Sequence, residues 1–220
     1  MLIEFSGLDC AGKSTQIALV KSYLEEKGYN VQVIWSRGGY TPGIEALKNL
    51  ARRGKSKKPE EQTAEERKAK MAREPQGGKL LLWLSIADLV RYWGCSFKLW
   101  SKGKNVILCD RYFWDTKIDF DLKYSKVNYT SWLIWKLLKK VYRKPDCSFV
   151  LTVTPEESVR RSSLKFEPFP ESEEKRTIRM NKYLESIKAG CWQYEIDCMR
   201  PIDEIMNEII EKLNETLMTI

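Results

Sequence analysis

Residues 7–14 read Gly-Leu-Asp-Cys-Ala-Gly-Lys-Ser and match the spacing G-x-x-x-x-G-K-S. Two glycines at this spacing allow a tight turn in which backbone N–H groups point inward, and a helix that follows adds the positive end of its dipole. Lys13 can then reach the β- and γ-phosphates of a nucleotide, while the Ser14 hydroxyl binds Mg²⁺. The candidate phosphate-binding residues are Gly7, Asp9, Cys10, Ala11, Gly12, Lys13, Ser14 and Thr15.

The segments on both sides of this loop support the same interpretation. An apolar run at 2–5 is typical of a buried strand, and apolar residues at helical spacing run from 13 to 27, where Gly28 provides a stop. A strand, the loop and a helix in this order are the setting of a phosphate-binding loop. A glycine-containing turn that matches by accident is the weaker alternative.

A second candidate constellation follows an apolar strand at 106–109, which leads into Asp110, Arg111 and Tyr112. A carboxylate at a strand end beside a phosphate-binding loop can hold Mg²⁺ or its water ligands, and an arginine there can face phosphate oxygens. Asp110 and Ser14 are therefore the predicted metal ligands. A solvent-exposed salt bridge at the strand end is the alternative.

The chain contains no histidine, and its six cysteines are scattered singly. Mechanisms that need an imidazole base, nucleophile or metal ligand are therefore excluded. Because the cysteines form no C-x-x-C pair, they indicate neither a zinc site nor a redox motif, and we expect reduced thiols. The chemistry must use carboxylates, lysine, arginine, hydroxyl groups and a metal ion.

Strand-like and helical segments alternate along the sequence. After the first strand and helix, strands are predicted at 31–35, 106–109, 149–153 and 193–196, and helices at 80–100, 132–142, 155–188 and 202–217. This alternation predicts an α/β fold of three α/β/α layers around a mainly parallel five-stranded sheet, with ligands at the carboxyl ends of its strands. We expect one domain over 1–220, with a polar insert at about 52–79 and a lid at about 156–182.

The net charge of +8 comes from 38 lysine and arginine residues against 30 aspartate and glutamate residues. This balance suits nucleic acid or a small anionic substrate, but no nucleic-acid-binding module surrounds the basic clusters, so we expect no nucleic-acid partner. No stretch approaches the roughly 20 apolar residues of a membrane span, and Met1 leads directly into a strand without a signal peptide. We therefore expect a soluble, cytoplasmic protein with no membrane partner.

The sequence resembles the thymidylate kinases and related nucleoside monophosphate kinases. Residues 5–16, Phe-Ser-Gly-Leu-Asp-Cys-Ala-Gly-Lys-Ser-Thr-Gln, are similar to that family's loop, which carries an aspartate two residues after its first glycine. Asp110, Arg111 and Tyr112 match the family's D-R-Y signature. The resemblance extends to the entry of the lid and to the segment 195–201, so it runs the length of the chain.

This resemblance implies a P-loop kinase fold and transfer of the γ-phosphoryl group of ATP to dTMP or a related deoxynucleoside monophosphate, with Mg²⁺ as cofactor. The transition state spreads negative charge over oxygens, so catalysis needs cations and amides aimed at it. The residues implied as catalytic are Lys13, Asp9, Arg111, Arg160 and Arg161. For ATP, the resemblance adds Arg160 in the lid, and Cys198 and Pro201 beside the adenine.

The loop interior holds no basic residue, so further positive charge must come from elsewhere, and the resemblance implies a lid that carries basic residues. The candidates there are Arg160, Arg161, Lys165, Arg176 and Arg179. A charged helical hairpin with acidic partners of its own is the alternative. The resemblance also implies that lid closure over ATP expels water and suppresses hydrolysis.

For the acceptor, the resemblance implies a site that includes the aspartate of the loop and the D-R-Y residues. Arg37 resembles the arginine that grips the acceptor phosphate, and Trp83 and Arg91 are the candidates in the helix at 80–100. The acceptor-binding candidates are Asp9, Arg37, Trp83, Arg91, Asp110 and Arg111.

Departures from the family pattern concern this acceptor side. The family's R-E-P-G-G-T becomes Arg-Gly-Gly-Tyr-Thr-Pro at 37–42, and the serine usually found three residues after the D-R-Y tyrosine is replaced by Asp115. Arg91 is offset by one turn from the family's base-contacting arginine, and it is spaced to pair with Asp88.

Three hypotheses remain open from the sequence. The chain is a nucleoside monophosphate kinase, a kinase of the same fold with another small-molecule acceptor, or a nucleotide-dependent switch or binding protein. The last is weakened for guanine nucleotides because residues 181–184 read Asn-Lys-Tyr-Leu and do not complete N-K-x-D. The resemblance further implies that two copies pair through helices like the one at 80–100.

Overall fold

The computed structural model describes residues 1–35, 78–100, 105–165 and 171–218, with side chains in the second range as far as Gly94. These residues form five strands and seven α-helices. They are β1 Leu2–Gly7, α1 Lys13–Glu26, β2 Asn30–Trp35, α2 Gly78–Trp100, β3 Asn105–Asp110, α3 Phe113–Lys123, α4 Leu133–Val141, β4 Cys147–Thr152, α5 Pro155–Leu164, α6 Glu173–Lys188, β5 Tyr194–Asp197 and α7 Ile202–Leu217.

The five strands form one parallel sheet in the order β2-β3-β1-β4-β5. The first strand lies at the centre, where it pairs with β3 on one side and β4 on the other, and all six of its residues are buried. The predicted α/β fold around a parallel five-stranded sheet is confirmed.

Helices cover both faces of the sheet, because alternate residues of a buried strand point to opposite sides. On one face, Ile3 and Phe5 of β1 belong to a core that includes apolar residues of α1 and α7. On the other face, Leu2 of β1 and Ile107 of β3 pack with residues of α2 and α4. These two cores produce the three predicted layers.

Parallel pairing brings the carboxyl ends of all five strands to one edge of the sheet. Gly7, Trp35, Asp110, Thr152 and Asp197 are the last residues of their strands and lie along this edge. The glycine-containing loop leaves β1 at the centre of the edge, so its neighbours are the ends of β3 and β4.

Two elements differ from the sequence-based expectation. Helix α3 was not predicted, and it begins where the Asp115 carboxylate accepts a hydrogen bond from the backbone N of Tyr112 at 3.3 Å, which caps its first turn. The helical region predicted at 155–188 is two helices, α5 and α6.

Part of the predicted organisation falls outside the described residues. Arg37 and residues 52–77 of the expected insert lie there, and the single domain, the insert and the lid stay predictions. Within the described ranges, none of the helices has the length and apolar content needed to cross a membrane.

The central strand carries a buried carboxyl group, that of Glu4. Its Oε1 accepts hydrogen bonds from Ser6 Oγ at 3.0 Å and from Trp192 Nε1 at 3.4 Å. Its Oε2 is buried and, among the described residues, has no hydrogen-bond partner. Burial, aided by the charge of Asp115, raises the pKa of Glu4 from 4.5 to about 8. Between pH 4.5 and about 8, Glu4 therefore binds a proton in the folded protein and releases it in the unfolded chain.

We expect the Glu4→Gln variant to be more stable than the wild type at neutral pH. Because the folded pKa lies above the unfolded one, wild-type stability falls as pH rises from 4.5 to about 8 by about 1.4 kcal/mol per pH unit. Glutamine mimics the protonated form and removes this dependence. Urea unfolding between pH 5 and 8 checks the prediction.

The exposed Glu195 on β5 provides a matched control, because Glu195→Gln alters a strand carboxylate that lies in solvent. Its stability difference from the wild type should not change over this range. A Glu4→Gln difference that is equally independent of pH would contradict a raised pKa for Glu4.

Candidate active site

The loop between β1 and α1 has a backbone conformation that depends on glycine. Gly7 has φ of 135° and Gly12 has φ of 93°, both in the region where side chains are strained. A Cβ atom on Gly7 would lie 2.2 Å from the carbonyl oxygen of Leu151 in β4. Cys10 has φ of 61° although it carries a side chain, so the surrounding structure must hold the loop in this form.

A cavity of about 150 Å³ lies over this loop at the carboxyl edge of the sheet. The residues that line it are Asp9, Cys10, Lys13, Ser14, Trp35, Asp110, Arg111 and Lys165. Residues of the loop, the ends of β2 and β3, and the residue that follows α5 thus lie around one space. Trp35 at the end of β2 was not among the predicted site residues.

The ammonium group of Lys13 lies against the loop's own backbone. Its Nζ donates hydrogen bonds to the carbonyl oxygens of Gly7 at 3.1 Å and Leu8 at 2.6 Å. Burial, with a further contribution from the positive charge of Arg111, lowers the pKa of Lys13 from 10.5 to about 8. This buried lysine is one of the residues that line the cavity.

Arg111 is a buried cation at the end of β3, with φ of 70°. Its guanidinium donates to the Asp115 carboxylate at 3.2 Å and to the Tyr183 hydroxyl at 3.1 Å, and it pairs with Asp9 in the loop. Burial alone would lower the pKa of Arg111, but these three groups raise it above its usual range. A permanently charged guanidinium thus lines the cavity and is tied to the loop.

Two oxygen atoms at the cavity suit the predicted Mg²⁺. Ser14 is exposed, and Asp110 Oδ1 is buried without a hydrogen-bond partner in the part of the chain that the structure describes. Burial raises the pKa of Asp110, while Lys13 and Arg111 lower it. Mg²⁺ characteristically takes one or two protein oxygens and completes its shell with water and phosphate oxygens. The donor set fits this ion.

The lid cations have different surroundings. Arg160 is exposed and pairs with Glu157, and Arg161 pairs with the same carboxylate and donates to the Cys198 carbonyl at 2.8 Å. Arg176 and Arg179 are buried and hydrogen-bonded inside the fold. Of the five predicted lid cations, Lys165 is the one that lines the cavity, and it directly follows α5.

The predicted adenine-side residues lie beyond β4, on the far side of the loop from β2. The backbone N of Cys198 donates to the Thr152 carbonyl at 2.9 Å, and Pro201 directly precedes α7. Gln16 of α1 donates to the carbonyl of Ile202 at 3.2 Å. These contacts join the segment after β5 to the helix that follows the loop, although neither predicted residue lines the cavity.

The predicted acceptor residues of α2 are not among those that line the cavity. Trp83 is 46% exposed. Arg91 pairs with Asp88 across 2.8 Å, as their spacing indicated. Arg37 lies outside the described residues. On the acceptor side, the structure therefore brings Asp9, Asp110 and Arg111 to the cavity, and Trp83 and Arg91 are not among the residues that line it.

Sequence reasoning missed three residues of this site. Trp35 is the last residue of β2, so the rule that ligands bind at the carboxyl ends of strands could have indicated it. Asp115 was noted only as a departure from a family pattern. Tyr183 lies 72 positions from Arg111 along the chain, and no local pattern in the sequence indicates that they meet.

The fold and the loop together define a P-loop nucleotide-binding protein. Asp110, at the end of the neighbouring strand β3, lines the same cavity as the loop. The sequence model described as thymidylate kinase matches residues 5–209. A thymidylate kinase of Chlorobaculum tepidum is 31% identical over 73% of this chain and 66% of its own length. One from Chlorobium luteolum is 29% identical over 98% of this chain and 97% of its own. The crystal structure of a thymidylate kinase from Ehrlichia chaffeensis has a TM-score of 0.53 at 22% identity, covering 97% of this chain and 98% of that one.

The family match extends over nearly the whole chain and includes both the loop and the D-R-Y segment. The chain therefore belongs to the thymidylate kinase family, whose members are ATP-dependent nucleotide kinases. The structural neighbour independently supports the P-loop kinase fold that the sequence predicted.

We expect Gly7→Ala to destabilise the protein strongly and to abolish nucleotide binding. The new Cβ would meet the Leu151 carbonyl at 2.2 Å in addition to the strain of a positive φ. Gly28→Ala is the matched control, because Gly28 has φ of 82° but open space around its Cβ position; it should cost about 1 kcal/mol. Urea unfolding and calorimetric titration with MgATP measure both effects. Equal losses of stability in the two variants would show that the contact with β4 is unimportant.

Proposed function

We propose that this protein transfers the γ-phosphoryl group of ATP to dTMP. The observation that carries the proposal is that the loop lysine, an acidic strand end and a lysine after α5 all line one cavity. Lys13, Asp110 and Lys165 all line it. This arrangement places cations around the position where negative charge develops during phosphoryl transfer. Family membership supports a nucleotide as the acceptor.

From the sheet order we infer that the two substrates bind on opposite sides of the loop. ATP binds over Gly7–Thr15 with its adenine toward the segment after β5, where Cys198 and Pro201 lie. The acceptor binds toward β3 and β2, where Asp110, Arg111 and Trp35 line the cavity. Each nucleotide then brings its phosphates to the centre of the sheet edge.

Within this site, the residues divide the work by their charge and position. Lys13 and the loop amides hold the β- and γ-phosphates, and Arg111, oriented by its carboxylate partners, faces the acceptor phosphate. Lys165 supplies the cation that approaches from the lid. Asp9 keeps Arg111 in place and reaches the cavity edge with a carboxylate that is 32% exposed.

Ser14 and Asp110 would hold Mg²⁺, which neutralises phosphate charge when bound. We propose this ion on the chemistry of the two oxygen donors. A cytoplasmic location and a pairing of two copies also stay predictions. Another small-molecule acceptor is not favoured, because the curated relatives that match are thymidylate kinases.

We expect the purified protein to release ADP with dTMP faster than with other nucleoside monophosphates. A coupled assay of ADP release across a panel of monophosphates and nucleosides measures this selectivity. Lys13→Ala should remove turnover while leaving the thermal transition cooperative, because it deletes a phosphate contact on an intact fold. Turnover with a different acceptor alone, or wild-type rates in Lys13→Ala, would contradict the proposal.

A second pair of variants tests which cation of the lid acts in phosphoryl transfer. We expect Lys165→Ala to lower kcat about tenfold to a thousandfold, because it removes a positive charge from the cavity. Arg160→Ala is the matched control, because it removes an exposed cation of α5 that pairs with Glu157 and is not among the residues that line the cavity.

Steady-state kinetics of both variants with saturating ATP and dTMP make the comparison. A large loss in Arg160→Ala with a normal Lys165→Ala would reassign the role to Arg160, which the family resemblance indicated.

A further inference from the structure

The loop is held from the lid side by a hydroxyl group that the proposed reaction does not use. Ser158 lies in α5 and is fully buried. Its Oγ donates a hydrogen bond to the carbonyl oxygen of Asp9 at 2.6 Å. We propose that Ser158 is a positioning residue that sets the orientation of the loop at the Asp9–Cys10 peptide, and that Arg176 fixes Ser158 in turn. This inference rests on the proposed function and adds a residue that acts through the loop.

The bond matters because of the geometry of a trans peptide, in which the carbonyl and the next N–H point in opposite directions. When Ser158 holds the Asp9 carbonyl, it also fixes the direction of the Cys10 N–H. Cys10 lines the cavity and has φ of 61°, a conformation that a side chain normally disfavours. A hydrogen bond from outside the loop offsets this strain and keeps one amide of the phosphate-binding loop in a fixed orientation.

Arg176 of α6 determines which way the Ser158 hydroxyl donates. Its Nη1 donates to Ser158 Oγ at 2.5 Å and to the Ser158 carbonyl at 3.1 Å. A guanidinium has only donors, so the hydroxyl must accept from Arg176 and direct its own proton elsewhere. The hydroxyl therefore donates its hydrogen bond to the Asp9 carbonyl. Arg176 is 1% exposed, and its Nε also donates to the Glu171 carbonyl at 3.1 Å.

Helix α5, which contains Ser158, is directly followed by the lysine that lines the cavity. Ser158 and Lys165 are seven positions apart, about 10 Å along a helix, and Lys165 directly follows α5. The contact between Ser158 and Asp9 therefore sets the register between the lid and the loop. A change in this contact displaces the amides at one side of the phosphates and the cation at the other.

Ser162 provides a matched control one helical turn further along α5. It is buried like Ser158, and its Oγ accepts a hydrogen bond from Nη2 of the same guanidinium at 2.9 Å. The hydrogen bond to the Asp9 carbonyl comes from Ser158. Each of Ser158→Ala and Ser162→Ala removes one acceptor from Arg176, and Ser158→Ala also removes the donor to the Asp9 carbonyl, so we expect Ser158→Ala to cost more stability. They should differ in what happens at the loop.

The experiment compares the two variants with the wild type in urea unfolding, steady-state kinetics and calorimetric titration with MgADP. At equal folded fraction, we expect Ser158→Ala to lower kcat about tenfold to a hundredfold and to weaken MgADP binding, with a smaller change in the KM for dTMP. Ser162→Ala should stay within about twofold of the wild type in both. Equal kcat and equal MgADP affinity in the two variants would overturn the positioning role.

Two further outcomes are distinguishable. If the wild type binds MgADP but does not phosphorylate dTMP, the proposed function fails, and the ratio of MgADP affinities between the variants still decides the role of Ser158. A wild type that binds no nucleotide overturns both. If Ser158→Ala does not fold, Ser158→Cys retains a weaker donor of similar size and is judged by the same comparison with Ser162→Ala.

Discussion

The arrangement of the site depends on the buried guanidinium of Arg111. A charge in the interior is tolerated only when carboxylates and hydrogen-bond acceptors surround it. Its partners belong to three separate elements, since Asp9 is in the loop, Asp115 is in α3 and Tyr183 is in α6. The Tyr183 hydroxyl also lies 3.2 Å from the carbonyl oxygen of Gly7. Loop, sheet and helices are thus fixed relative to one another, because displacement of any partner would leave a buried charge without compensation.

The same requirement separates the lid cations by function. Arg176 and Arg179 are buried, so their donors are committed to serine oxygens, Asp119 and Glu171 inside the fold. Arg176 holds the hairpin against the loop through Ser158, whereas Lys165 lies at the end of α5 and lines the cavity. The basic residues of the predicted lid therefore have different roles. Those that are buried bind other protein groups, and Lys165 is left to reach a phosphate.

Sequence reasoning found the parts of the site that local chemistry encodes. The loop at 7–14 and the strand end at Asp110 could be predicted because their function requires certain residues at fixed spacing, and the five strands followed from apolar runs between helical periods. Helix α3 was missed because its capping by Asp115 involves a single side chain at its start. Trp35 was missed because its importance comes from the neighbouring strand end, where it pairs in register with Asp110.

By itself, the sequence determined the phosphate-binding loop, the parallel α/β architecture and the family. These depend on short-range order, in which a glycine, a lysine or an apolar period has the same meaning wherever it occurs. Only the tertiary structure decided which cations line the cavity, that Arg111 is held by Asp9, Asp115 and Tyr183, and that Ser158 supports the loop. Those contacts join residues as far as 149 positions apart, and their strength comes from burial, which exists only after the layers have packed together.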